Sequence, residues 1–280
     1  MAEILSGKAV AQELYRKVLL DLSLLSFIPK LVVVLVGEDP GSQVYVKNKR
    51  KKCLDLGMKG ETIELPSSIT EEELLTVIRK LNADDAVTGI LVQLPLPPAI
   101  NKRRVLREID PMKDVDGLHP ENAGLLLIGE PRFQPCTPAG VIEILKHYQI
   151  PIAGQNAVVV GRSEIVGRPM AQMLLLNDAT VTVCHSRTRD LKAETLRADI
   201  LVVAMGKERF LTADYVKSGA VVIDVGMHRP ASGLCGDVDP NVATKARALT
   251  PVPGGVGPMT IAMLMKNVLL AASLRSKKTR

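Results

Sequence analysis

The chain has 280 residues and a formal net charge of +6; 46% of its residues are hydrophobic, 24% are charged, and none is Trp. That length makes one large domain or two modest ones, each able to bury a core, and the composition excludes global disorder and collagen-like repetition. The basic balance is local, because the nine positive charges in Lys47–Lys52 and Arg275–Arg280, taken from +6, leave −3 on the rest, unlike the sustained basic, aromatic-studded surface of a nucleic-acid reader.

In chain order, Met1–Val10 carries Glu3, Ser6 and Lys8 among its apolar residues and so lacks the apolar core of a signal peptide. The β-branched run Leu31–Val36 predicts a buried strand; no clean apolar run is longer, and it is far short of the roughly 18 residues of a membrane span. A helix from about Ser42 to Leu56 follows, then a strand at Thr62–Leu65. Thr70 with Glu73 forms a capping box that opens a helix to about Leu81, and Gly89–Val92 is the next strand. The Pro-containing stretch Glu130–Pro138 reads as a connection. Beyond it come strands at Ala157–Val160, Thr180–Cys184, Ile200–Ala204 and Val221–Val225, with helices at Gly167–Leu176, near Asp190–Arg197 and at Thr212–Lys217. A Gly/Pro cluster precedes a last amphipathic helix, Ile261–Leu274. Strands alternating with helices predict α/β architecture with parallel sheets, the second set Rossmann-like.

Cys53, Cys136, Cys184 and Cys235 lie far apart without C-x-x-C spacing, which fits reduced thiols of a cytoplasmic protein rather than a disulfide frame or a zinc site. His119 has no second His or carboxylate at ligand spacing and reads as a hydrogen-bonded loop residue, so no metal is expected. The C-terminal basic cluster reads as a solvated tail.

Gly161-Arg-Ser-Glu-Ile-Val-Gly167 joins a strand to a helix, where free backbone N–H groups and the helix dipole favour an anion. The spacing is not G-x-G-x-x-G, so the turn alone fits a dinucleotide cradle or an ordinary strand-to-helix connection. The following strand ends in His185-Ser186-Arg187, without the carboxylate that grips the ribose hydroxyls of NAD. Hydroxyl and guanidinium groups, including Arg162, suit a 2′-phosphate and point to NADP.

Tyr45 and Lys49 are four apart on a predicted helix and share a face. On a helical wheel Lys49 falls with Val46, Cys53 and Leu56, whereas Lys47 and Lys51 point the opposite way and Lys52 lies on the boundary. A lysine turned inward either covers apolar surface or moves protons with a lowered pKa. Tyr-x-x-x-Lys also resembles the short-chain dehydrogenase pair, but there the glycine turn precedes it and here it follows. Gln93 stands at a strand end before a proline-rich exit, Asp114 and Asp116 share a loop, and Gly254, Gly255 and Gly257 mark a close-approach loop or simple turn chemistry.

Together, Tyr45-Val-Lys-Asn-Lys49, Val92-Gln-Leu-Pro-Leu-Pro97, Asp114-Val-Asp-Gly117, Pro135-Cys-Thr-Pro138, Gly161-Arg-Ser163 with Ile165-Val-Gly167, and Pro251–Thr260 resemble, in order, the bifunctional methylenetetrahydrofolate dehydrogenase/methenyltetrahydrofolate cyclohydrolase family. The resemblance implies a folate (catalytic) domain of residues 1–137 and 262–280, an NADP-binding domain of residues 138–261, and a cytoplasmic homodimer. It implies NADP-dependent oxidation of methylenetetrahydrofolate and hydrolysis of the methenyl product to formyltetrahydrofolate, with a member keeping only one activity as the alternative. Lys49, Gln93 and Asp116 are then the catalytic set: Lys49 moves protons in hydrolysis, Gln93 orients it and Asp116 accepts from the pterin. Tyr45 would stack on the aminobenzoyl ring, with Val92, Leu94, Pro253, Gly254, Gly255, Val256 and Gly257 lining the substrate site. Gly161, Arg162, Ser163, Ser186 and Met227 would hold NADP. The chain departs from the family pattern at Met227-His228, where Ile-Asn is more common, and at Glu208-Arg209, in a loop that commonly contains Pro.

Overall fold

Two sets of β-branched runs become two parallel sheets in the computed structural model, which describes residues 2–231 and 233–278. The chain starts with a two-residue strand, β1 (Glu3–Ile4), and a helix, α1 (Gly7–Leu22). Next come β2 (Lys30–Val36), α2 (Pro40–Asp55), β3 (Lys59–Leu65), α3 (Glu71–Ala83), β4 (Gly89–Val92), α4 (Lys102–Glu108) and α5 (Pro120–Leu127). After them lie α6 (Cys136–His147), β5 (Asn156–Val160), α7 (Gly167–Leu175), β6 (Thr180–Cys184), α8 (Leu191–Thr195), β7 (Ile200–Val203) and β8 (Val221–Asp224). The short β9 (Ala248–Leu249) and the long α9 (Val256–Lys278) complete the order.

The contacts divide the chain into two units, Leu14–Gln134 with Ile261–Arg280 and Met1–Glu13 with Pro135–Thr260. Residues 1–13 were expected with the folate domain. They fall in the other unit because β1 pairs in parallel with β9, Glu3 beside Ala248 and Ile4 beside Leu249.

In the first unit β2 is the centre of a parallel sheet ordered β3-β2-β4. Alternate residues of a strand face opposite sides, so a strand buried throughout Leu31–Val36 needs cover on both. Val32, Val34 and Val36 join Leu74, Leu75 and Ile78 of α3 and Val105 and Leu106 of α4 in one apolar core. The capping box of α3 is complete: Thr70 Oγ1 accepts the Glu73 N–H and the Glu73 carboxylate accepts the Thr70 N–H. The other unit carries a six-stranded parallel sheet ordered β1-β9-β8-β7-β5-β6, so the chain leaves β5 to one side for β6 and then to the other for β7.

Several boundaries differ from the sequence reading. The stretch taken as a connection becomes α6 from Cys136, and α9 starts at Val256 rather than Ile261. In both, the proline that suggested a loop (Pro138, Pro258) lies in the first helical turn, where no intrahelical N–H is needed. Thr212–Lys217 forms only a 3-10 turn, Ala213–Tyr215. The stretch Val256–Ser276 is long and apolar enough to cross a membrane, yet most of it is buried in the protein. Arg280 and the side chains of Lys277 and Lys278 lie outside the described residues. Arg275 is docked rather than loose, donating to the Asp85 carbonyl with its guanidinium 5.3 Å from the Phe27 ring centroid.

Candidate active site

Lys49 reaches its place through helix periodicity. The buried residues of α2 are Ser42, Val46, Lys49 and Cys53, while Lys47, Arg50 and Lys51 are exposed. Asp39 starts the helix by accepting the Ser42 N–H at 2.7 Å. Lys49 is only 5% exposed, too deep for a merely snorkelling side chain. Its Nζ donates to Gln93 Oε1 at 3.0 Å and lies 5.1 Å from the Tyr45 ring centroid. Gln93 is fixed in turn. Its N–H donates to the Val34 carbonyl, continuing the β2–β4 ladder, and its Nε2 donates to the Leu94 carbonyl at 2.7 Å. With the amide nitrogen so used, the amide oxygen must face Lys49. The Leu94–Pro95 peptide is cis. Val92 is buried in the apolar core, so it can offer a ligand only backbone, whereas Leu94 is half-buried.

The acidic loop splits into two roles. Asp114 is 1% exposed and accepts the N–H groups of Leu118 and His119 and the Asn122 amide. Burial nonetheless holds its carboxyl above the ordinary range, the hydrogen bonds opposing the shift. Asp116, two residues on, is half-buried, and among the described residues no donor meets its carboxylate. Asn267 of α9 donates to the Val115 carbonyl at 2.8 Å and the Gln134 carbonyl at 3.0 Å. Lys113 caps the end of α3 through the carbonyls of Leu81, Asn82 and Asp84. His119 has both ring nitrogens engaged: Nδ1 accepts the Glu121 N–H at the start of α5 and Nε2 faces the Arg107 carbonyl of α4.

The sequence reading did not find Asn267 or Tyr15. Asn267 lies on an apolar helix whose period gives it no distinction. Tyr15 lies on α1, which was not predicted; burial, Tyr45 and Asp55 push its hydroxyl up to about 12, and Lys52 lies 4.7 Å from its ring centroid.

In the other unit, the β5–α7 turn is shaped by absent side chains. Gly161 has φ +128, and a Cβ there would strike the Ala204 carbonyl; a Cβ at Gly167 would strike the Gly161 carbonyl. Ser163 Oγ accepts the N–H groups of Val166 and Gly167 at 3.2 Å each, leaving its own proton for an anion. Arg162, Ser186 and Arg187 are exposed beside the ends of β5 and β6, and Met227 is 50% exposed after β8. The turn and its hydroxyl and guanidinium groups fit a phosphorylated dinucleotide.

The loop Pro251–Gly255, which leads into α9, contains a second cis peptide, Val252–Pro253. Gly254 has φ +109, and a Cβ at Gly255 would strike the Pro251 carbonyl and Thr250. Both glycines therefore have conformational reasons of their own. Pro253 is exposed, Gly254 and Gly257 are half-buried, and Val256 is buried.

A parallel sheet that changes direction at a glycine turn, joined to a unit bearing a buried lysine–glutamine pair, defines a nucleotide-dependent α/β enzyme class. Family models narrow it. Residues 5–116 match the tetrahydrofolate dehydrogenase/cyclohydrolase catalytic domain, and residues 135–276 match its NAD(P)-binding domain. The chain belongs to the tetrahydrofolate dehydrogenase/cyclohydrolase family. It is 55% identical over 277 residues to the bifunctional protein FolD of Lachnoclostridium phytofermentans, covering 97% of this chain and 98% of that one. The bifunctional FolD structure from Campylobacter jejuni superposes with a TM-score of 0.95 at 48% identity, over 98% of this chain and 100% of that one. The Trypanosoma brucei FolD structure, complexed with NADP cofactor and inhibitor, gives 0.94 at 39% identity over 99% of each.

Proposed function

We propose that this chain oxidises 5,10-methylenetetrahydrofolate with NADP and hydrolyses the resulting methenyl compound to 10-formyltetrahydrofolate. The observation that carries the reading is the buried Lys49 ammonium held on Gln93 Oε1 at 3.0 Å. In hydrolysis, water adds to the methenyl carbon and forms a C–O bond. Lys49, in its amine form, takes the proton released as the water adds; the adduct's O–H proton then leaves as the C=O forms, the C–N5 bond breaks and N5 takes up a proton, leaving the formyl group on N10. Gln93 keeps the Lys49 amine aimed during the transfer. Tyr45 offers a π-face to the aminobenzoyl ring, and the uncommitted Asp116 carboxylate accepts from the pterin amino and ring N–H groups. Leu94 and the backbone of Val92 add folate contacts within the same unit, and the family resemblance assigns Pro253, Gly254, Gly255, Val256 and Gly257 to the substrate as well.

Bound NADP supplies the hydride acceptor. Gly161 and Ser163 would admit its phosphates, Arg162 and Ser186 would take its 2′-phosphate, and the Met227 backbone would meet its nicotinamide end. Residues 1–137 with 262–280 and residues 138–261 are the sequence domains assigned to folate and NADP. The four buried free thiols, Cys53, Cys136, Cys184 and Cys235, suit the reducing cytoplasm, where we place the protein as a homodimer. Exposed Lys47, Arg50 and Lys51 attract the acidic tail of polyglutamylated folates.

The test offers methylenetetrahydrofolate with NADP or NAD and follows reduced nicotinamide and the methenyl chromophore separately. NADP is expected to be preferred, and Arg162→Ala with Ser186→Ala to narrow the gap. A preference for NAD in the unaltered protein overturns the assignment of Arg162, Ser163 and Ser186. A methenyl signal that forms and never decays leaves the dehydrogenase alone.

A further inference from the structure

Arg209 and His228, one from each of the two departures from the family pattern, meet in one hydrogen-bonded network through residues 235–237. In an open parallel sheet the ligand lies over the carboxyl ends of the strands where the chain reverses. Here that point lies between β5 and β7. With phosphates at the β5–α7 turn, the half of a dinucleotide beyond them lies over the exits of β7 and β8, residues 204–207 and 225–228.

One wholly buried carboxylate holds both exits. Asp237 Oδ2 accepts the N–H groups of Met205 at 2.7 Å and Gly206 at 2.9 Å, and its Oδ1 accepts the Lys207 N–H at 2.9 Å. The fourth contact is the His228 Nε2, 2.7 Å from Oδ1. An ionised carboxylate only accepts, so Nε2 carries the proton. The His228 backbone also exchanges hydrogen bonds with Cys235, 2.8 and 3.2 Å, and the Arg209 N–H donates to the Gly236 carbonyl. Among the described residues, His228 supplies the one side-chain donor to Asp237. It is the side-chain tie between the β8 exit, which includes Met227, and the three consecutive amides at the β7 exit.

We propose that His228 is a positioning residue for the dinucleotide, its Nε2–H···Asp237 bond fixing the Met227 backbone against the Met205–Lys207 amides. This rests on the reading that NADP binds this unit. The test is titration calorimetry of NADP, without folate, on the wild type, His228→Leu and His228→Gln. A charge-assisted hydrogen bond lost from the bound geometry predicts roughly tenfold weaker binding for His228→Leu. Gln places an amide donor where Nε2 lies, and it should restore binding to within about threefold. Hydrolysis of the methenyl substrate, assayed without cofactor, should keep its rate in both variants, while the KM for NADP in oxidation follows the calorimetric Kd. Wild-type binding by His228→Leu overturns the proposal, as does a loss in His228→Gln equal to that in His228→Leu. Hydrolysis falling in step with binding also overturns it, since the histidine would then only hold the fold. A wild type that binds no NADP overturns the cofactor reading, and this proposal with it.

Discussion

Lys49→Met separates chemistry from stability. The substitution removes an ammonium that is 5% exposed and replaces it with an apolar chain of similar length. Desolvation of the charge is relieved, while Gln93 Oε1 loses its 3.0 Å donor. Gln93 is half-buried, so water replaces that donor, and the two effects leave stability within about 1 kcal/mol of the starting protein. The rate responds differently. A positioned proton carrier contributes about 10²–10⁴-fold, so methenyl hydrolysis, followed as decay of the methenyl chromophore without NADP, should fall by that factor. Lys49→Arg should fail as badly, because a guanidinium keeps its proton at any working pH. Urea denaturation of the same samples reads the stability term. Hydrolysis within tenfold of the wild-type rate in a folded Lys49→Met protein would falsify the role given to this lysine.

Gly161→Ala should weaken NADP binding at least tenfold, roughly the cost of a blocked backbone approach at φ +128, and hydrolysis without cofactor should persist; calorimetry and the cofactor-free assay check the pair. Burial raises the Asp224 carboxyl to about 6, so the folded state holds this proton more tightly than the unfolded chain does. Stability from this group therefore rises as pH falls from 6 toward 4. Relative to Asp224→Asn, the wild type should gain about 2 kcal/mol between pH 7.5 and pH 4.5 in urea denaturation, and a gain in the opposite direction refutes the burial argument. Thr70→Ala should cost about 1 kcal/mol by removing the capping box of α3, with neither activity changed; a midpoint equal to wild type refutes it.

Strands and one side of the chemistry were legible because they depend on short-range pattern. Gly89–Val92 and Thr180–Cys184 coincide with β4 and β6, and the wheel that turned Lys49 inward and Lys47 and Lys51 outward matches their burial. The Gln93 contact to Lys49 spans 44 positions and came from family resemblance, not spacing. What stayed hidden depends on distant partners. Asp237 looks like any loop acid until three amides and His228 converge on it. Asn267 has meaning only once α9 meets the carbonyls of Val115 and Gln134. The prolines of α6 and α9 misled because a first-turn proline and a loop proline look alike in one dimension.

The pairing of Glu3 with Ala248 has a consequence during synthesis. As the nascent chain leaves the ribosome, β1 emerges before β2, but its partner strand β9 follows only after all the other strands described. At about 5–20 residues per second that interval is on the order of tens of seconds. For that time a two-residue edge waits unpaired while the sheet grows outward from β5, so the first strand made is the last to be laid down. A stall or cut after Asp239 would leave a nascent chain with β5 to β8 but no seat for β1, a species that a protease accessibility assay on arrested ribosomes can detect.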